Sequence, residues 1–259
     1  MATTIAFINE KGGVGKSSIC FNTAWCFALE QGKKTLMIDL DGQRANITFF
    51  SGIAKPPGLA TMYDVLAEGL DVKKTVLVVE EDLHIIPATA DVSSLDIKNA
   101  HPEDIQRAVK ELAPFYDYIF IDVSPTPNRS HALALAAADF VIIPMLPDVT
   151  SLEANMGIIE SVKLAKASLN PGLQVLGVVF NRHTWRPLLS RQVGAAADEM
   201  AGAMASKVFK TKIRQAVALS ENIGQHTGVT SYAPKSGTAE DIRKLCQEIN
   251  EEVNKNDRQ

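Results

Sequence analysis

The chain has 259 residues, 46% of them hydrophobic, which suffices for a substantial core and favours a single domain over 1–259. No apolar run approaches the roughly 20 residues that span a bilayer, and the first strand is expected within a few residues of Met1 with no signal peptide, so a cytoplasmic protein off the membrane is expected. The net charge of −4 speaks against a nucleic-acid role, yet residues 1–170 hold 14 Lys and Arg against 21 Asp and Glu, while 171–259 hold 12 against 9.

The run Ile5-Ala6-Phe7-Ile8 reads as a buried strand and passes into Glu10-Lys11-Gly12-Gly13-Val14-Gly15-Lys16-Ser17-Ser18. Strand, glycine-rich stretch and helix together read as a phosphate-binding loop. Gly12, Gly13 and Gly15 let successive backbone N–H groups turn inward on a polyphosphate, Lys16 supplies a point charge, and the Ser17 hydroxyl is suited to ligate Mg²⁺. Val14 and Ser18 complete the cradle, and the helix beginning near Lys16 turns its free N–H groups on the same anion. The position five before Gly15 is Gly in the usual spacing and is Glu10 here.

Residues 19–31 carry apolar and small residues at helical spacing up to Gly32, with Cys20 and Cys26 as small core residues. These two and Cys246 form no Cys-x-x-Cys pair, which argues against a disulfide framework or a zinc site. A second apolar strand, 35–41, ends in Asp39-Leu40-Asp41, carboxylates at the edge where a parallel sheet binds ligands. Loop around a short helix is expected over 42–58, helix over 62–70, and a short strand over 83–87 with His84 on its face. A helix over 102–113, with Pro102 in its first turn, leads to Tyr118-Ile119-Phe120-Ile121-Asp122. This strand ending in Asp is the Walker B pattern, whose Asp binds Mg²⁺, usually through water.

Strands are expected over 138–144 and 175–181, helices over 151–169, 188–205 and 213–222, and a final edge strand over 207–209. Residues 236–240 open the last helix, with Thr238 as its cap, and the polar residues after Val253 are expected to fray. The fold class expected is α/β, a mainly parallel twisted sheet flanked by helices on both faces.

Lys11 to Ser18, Asp39-Leu40-Asp41, Asp122 to Pro127, and the stretch from Ser220 to Thr238 occur in this order. Together they resemble the ParA/Soj-type partition ATPases of the ParA/MinD group, whose deviant P-loop fold then covers nearly the whole chain. The resemblance implies ATP and Mg²⁺ as cofactors. It makes Lys11 the extra lysine that reaches across a nucleotide-sandwich homodimer to the partner's phosphates. It makes Asp41 the residue that orients the attacking water, and puts Asp39 in the Mg²⁺ shell beside Ser17 and Asp122. It brings Asn181 and Arg182 to the adenine base; a strand-end Asn capping a turn is the plainer reading. The chain departs from the family pattern at Ser124 and Gly42, each in place of Pro, and at Ala218, where relatives often carry a DNA-contacting Arg.

The implied activity is weak ATP hydrolysis in a dimerising switch that binds non-specific DNA of the nucleoid, positions a cargo, and is stimulated by a ParB-like partner. DNA contacts are then expected from Arg186, Arg191, Lys207, Lys210, Lys212 and Arg214; a solvated basic face is the alternative. A MinD-like membrane ATPase would end in an amphipathic helix with bulky apolar residues beside lysines, whereas 245–253 has no aromatic and an acidic face. An iron–sulfur carrier would need cysteines near 123–127, where there are none. A metabolic ligase or kinase built on the same loop is the other alternative.

Overall fold

The computed structural model describes residues 1–42, 46–54, 58–91, 100–125, 129–148, 156–183 and 187–256, without the side chains of 156 and 187–192. Its strands are β1 (Thr3–Phe7), β2 (Thr35–Leu40), β3 (Leu77–Glu80), β4 (Leu83–Ile86), β5 (Tyr118–Val123), β6 (Phe140–Met145) and β7 (Gln174–Phe180). They form one sheet in the order β3-β4-β2-β5-β1-β6-β7, parallel except for the β3–β4 pair. The helices are α1 (Lys16–Leu29), α2 (Ile47–Phe50), α3 (Met62–Glu68), α4 (Pro102–Leu112), α5 (Arg129–Ala137), α6 (Met156–Ser168), α7 (Pro187–Ala203), α8 (Ala218–Gly224), α9 (Val229–Tyr232) and α10 (Gly237–Asn256).

The continuous apolar runs are explained by burial on both faces, because successive side chains of a strand point to opposite sides. In β1, Ile5 and Phe7 join Phe21, Phe27, Leu245 and Ile249 in the core under α1 and α10. Ala6, with Ile38 and Ile121 of the neighbouring strands, packs instead with Ile105, Leu133, Ile158 and Val193 from α4 to α7. Cys20, Cys26 and Cys246 are free and buried.

β1 and β2 are not hydrogen-bonded neighbours. β5 lies between them and sets Asp122 opposite both Phe7 and Asp39. This register brings the Walker B residue to the root of the glycine loop.

Several expectations change. β3 is an additional edge strand, half-exposed in alternation and antiparallel to β4. Residues 207–209 make a single bridge to β7 rather than a strand: Val178 N–H donates to Lys207 O at 2.9 Å and Phe209 N–H to Val178 O at 2.8 Å. Residues 213–217 are not helical, because Ile213 N–H donates to Phe180 O and Gln215 N–H to His183 O, which ties the segment to the end of β7. At the start of α10, Ser236 Oγ accepts the Ala239 N–H, while Thr238 lies inside the helix with its hydroxyl buried. The helix runs through Asn256, past Val253, with Lys255 paired to Glu252 at 2.6 Å. His84 meets the Tyr116 hydroxyl at 2.8 Å, a strand-face role. Among the described residues no helix is long and apolar enough to cross a membrane.

Candidate nucleotide site

The loop after β1 leaves the sheet between β5 and β6, where the strand order reverses and a parallel sheet opens a crevice. Gly13 and Gly15 take φ values of 75° and 84°, left-handed conformations that glycine adopts without a Cβ penalty. Gly15 is the N-cap of α1 and offers no capping side chain. A cavity of about 610 Å³ lies over this loop, in the size range of small-molecule and cofactor sites. Lys11, Gly13, Val14, Gly15, Lys16, Ser17 and Ser18 line it, as do Asp41, Pro125, Asn181, Arg182 and Arg214 to Val217. Gly12 is in the loop but off the wall.

Lys16 is buried, with Nζ 3.1 Å from Asp122 Oδ1 and a second hydrogen bond to Val123 O. The Ser17 hydroxyl also bonds the Asp122 carboxylate, yet burial pushes that carboxyl above its ordinary range against the pull of both partners. Asp122 Oδ2 is buried with no hydrogen-bond partner among the described residues. An orphaned carboxylate oxygen beside a serine hydroxyl fits Mg²⁺, a hard ion that is usually held by one or two protein oxygens and takes its other ligands from water and phosphates. Among the described residues no cluster of three or more His, Cys, Asp or Glu forms an all-protein cage.

Asp39 has a different place from the one expected in the metal shell. It is fully buried; Oδ1 accepts the Asp41 N–H at 2.9 Å, and Oδ2 accepts the Thr48 N–H at 3.0 Å and the Thr48 hydroxyl. Burial, then the charge of Asp122, pushes its carboxyl up to about 7. One oxygen holds the turn that carries Asp41 and the other holds Thr48 on α2, so Asp39 positions Asp41 from behind the wall. Asn46, whose amide donates to the Asp41 carbonyl, holds the same turn.

Lys11 donates its backbone N–H to Asn9 Oδ1 at 2.7 Å and rests its Nζ 3.0 Å from Asp148 Oδ1. Sequence reasoning missed Asp148, which no motif marks. It also missed His131 on α5, whose Nε2–H donates to Ser124 O at 2.6 Å and steadies the chain just after Asp122.

Asn181 donates its amide to Val14 O at 2.7 Å and accepts the Arg182 N–H at 2.8 Å. A Cβ on Gly15 would fall on this amide. The side chain therefore clamps the phosphate loop to the end of β7, which is closer to the turn-cap reading than to a free edge awaiting adenine. Asn181→Ala is expected to weaken ATP and inorganic triphosphate alike, by roughly tenfold for one buried hydrogen bond. Calorimetry with both ligands decides, and a loss confined to ATP would restore the adenine contact.

A family model described as an AAA domain matches residues 2–175. The chromosome-partitioning ATPase Soj of Treponema pallidum is 32% identical over 254 residues, covering 96% of this chain and 97% of its own. The sporulation initiation inhibitor protein Soj of Bacillus subtilis is 33% identical over 256 residues, with 96% and 98% covered. The chain belongs to the ParA/Soj family of P-loop ATPases. Two solved structures agree in fold. Apo McdA of Cyanothece has a TM-score of 0.84 at 22% identity, covering 98% of this chain and all of its own. The cell division ATPase MinD of Pyrococcus furiosus has 0.77 at 24%, covering 97% and 99%.

In this ParA/Soj-family ATPase the described cations of the basic stretch are exposed or half-exposed, and two of them are ion-paired. Lys207 is paired with Glu252 at 2.7 Å, and Arg214, on the cavity wall, is forked by Asp241. Lys212 lies over the Phe180 ring at 5.7 Å, and Lys210 is exposed. Arg186 and the side chain of Arg191 lie outside what the structure describes.

Proposed function

We propose that this partition-type ATPase is an ATP-dependent dimerising switch. The observation that carries the reading is a pair of lysines on one cavity wall with different partners: Lys16 reaches the Walker B carboxylate, whereas Lys11 is held at Asp148. Lys16 serves the phosphates of its own chain, and Lys11 leaves Asp148 for the phosphates of a second copy. Two half-sites then close on two nucleotides, and the ATP state is an assembly state.

Phosphoryl transfer asks for positioning and charge rather than covalent chemistry, so loop N–H groups and lysines suffice on the protein side. Mg²⁺, held by Ser17 and Asp122, supplies further charge neutralisation. The ATP dimer binds DNA of any sequence, works in the cytoplasm on the nucleoid to position a cargo, and is stimulated by a cargo-linked, ParB-like partner. Doubling the basic faces of two chains supports the DNA reading despite a net charge of −4.

Light scattering and DNA retention, run with ATP and with ADP, test this. The wild type should be dimeric and retained on unrelated duplexes with ATP only, with retention falling as salt rises. Lys11→Ala should bind ATP yet stay monomeric and unretained. A dimeric Lys11→Ala would remove the in-trans role, and a wild-type dimer without retention at low salt would remove DNA.

A further inference from the structure

Three carboxylates of α10, Asp241, Glu248 and Glu252, lie seven and four residues apart, which places them within about 40° of arc on one helix face. All three hold one segment that has no regular structure of its own. Glu252 pairs with Lys207 at 2.7 Å, and the two oxygens of Glu248 accept the backbone N–H groups of Lys210 and Thr211 at 3.0 and 2.8 Å. Asp241 grips Arg214 three times: Nε to Oδ2 at 2.7 Å, Nη2 to Oδ1 at 2.9 Å, and the backbone N–H to Oδ2 at 3.1 Å. Gly237 opens the slot for this fork, since a Cβ there would collide with the guanidinium.

The segment ends on the cavity wall, where Arg214 to Val217 form part of the lining. That wall is anchored on one side by the end of β7, through the Ile213 and Gln215 N–H groups, and on the other by the Arg214–Asp241 fork. With phosphates on the glycine loop, the nucleoside portion of a ligand is left to the wall beside β7. A bidentate fork fixes direction as well as distance, which a single contact or a lysine does not.

We infer that Asp241, acting through Arg214, is a positioning residue of the nucleotide site: it sets the wall that receives the nucleoside, from a helix that contributes no group to that wall. The inference rests on the ATP reading above. The Arg214 side chain is 55% exposed while Asp241 is 9% exposed, so a buried carboxylate holds a guanidinium that reaches the cavity wall, and the effect is read on the ligand.

Asp241→Asn keeps the shape and loses the fork. The ATP dissociation constant and KM should rise roughly threefold to tenfold, while kcat at saturating ATP and the affinity for inorganic triphosphate hold. Gly237→Ala, which displaces the guanidinium with both charges kept, should shift ATP in the same direction, and Asp241→Glu should recover part of the loss. Glu252→Gln, at the far end of the stripe, should leave both affinities at the wild-type value. Wild-type ATP affinity in Asp241→Asn and Gly237→Ala overturns the inference. So does an equal loss for ATP and triphosphate, which would mark a general loosening of the site. A wild type that binds triphosphate but not ATP overturns the nucleotide reading itself.

Discussion

Lys16→Ala should lose ATP affinity by roughly three orders of magnitude, because a unit charge about 4 Å from another is worth about 4 kcal/mol at the effective dielectric of a protein site. Lys16 is only 5% exposed, so water cannot take over its task. Among the described residues the other cations on the wall are Lys11, engaged by Asp148, Arg182, and Arg214, engaged by Asp241. The substitution also acts on the empty protein. Asp122 is fully buried, and Lys16 is the charge that pulls its raised carboxyl down. Without that charge the carboxyl rises further, so the folded chain takes up a proton that the unfolded chain releases. The variant's stability relative to the wild type is then greatest at low pH, and falls as pH climbs from the wild type's already raised carboxyl value to the variant's higher one. Calorimetry gives the affinity, and thermal melts across that window give the second effect. Unaltered ATP affinity in a folded variant would take Lys16 out of the site.

The parts of this molecule that were legible in the sequence are those in which one local pattern leaves one solution. Apolar runs such as Ile119-Phe120-Ile121 fit a strand buried on both faces, and Gly13 and Gly15 fit left-handed turns that other residues resist. What was not legible depends on partners far along the chain. Strand order is set by how crossovers pack, so nothing local says that β5 enters between β1 and β2. Lys11 finds Asp148 across 137 positions, and a charge count over 182–214 cannot see the acidic stripe of α10 that holds two of its cations. Residues 213–217 have helical composition, but the hydrogen bonds to Phe180 and His183 decide their course. Asp39 and Asp41 are alike in type and two positions apart. Both are buried, and only their contacts separate them: Asp39 has both oxygens used behind the wall, and Asp41 lines the cavity.

That separation gives the second large effect. Asp41→Ala should bind Mg·ATP close to the wild-type affinity, stop hydrolysing it, and accumulate as an ATP-bound dimer. The Asp41 carboxylate lines the cavity while its backbone is fixed by Asp39 and Asn46, so truncation at Cβ removes the functional group and leaves the turn in place. Lys16, Ser17 and Asp122, which hold the phosphates and their ion in the proposed site, contact one another directly. A carboxylate that orients or deprotonates the attacking water contributes roughly a hundredfold to ten-thousandfold, so phosphate release should drop to that extent. Dimer content under ATP should rise, because hydrolysis is the step that dissolves it. The comparison is phosphate release against light scattering on the same sample. Hydrolysis at the wild-type rate would leave Asp41 an acid on the wall with no part in the chemistry. Joint loss of binding and hydrolysis would mean that its charge holds the site together, and the role of water positioning would pass to another residue.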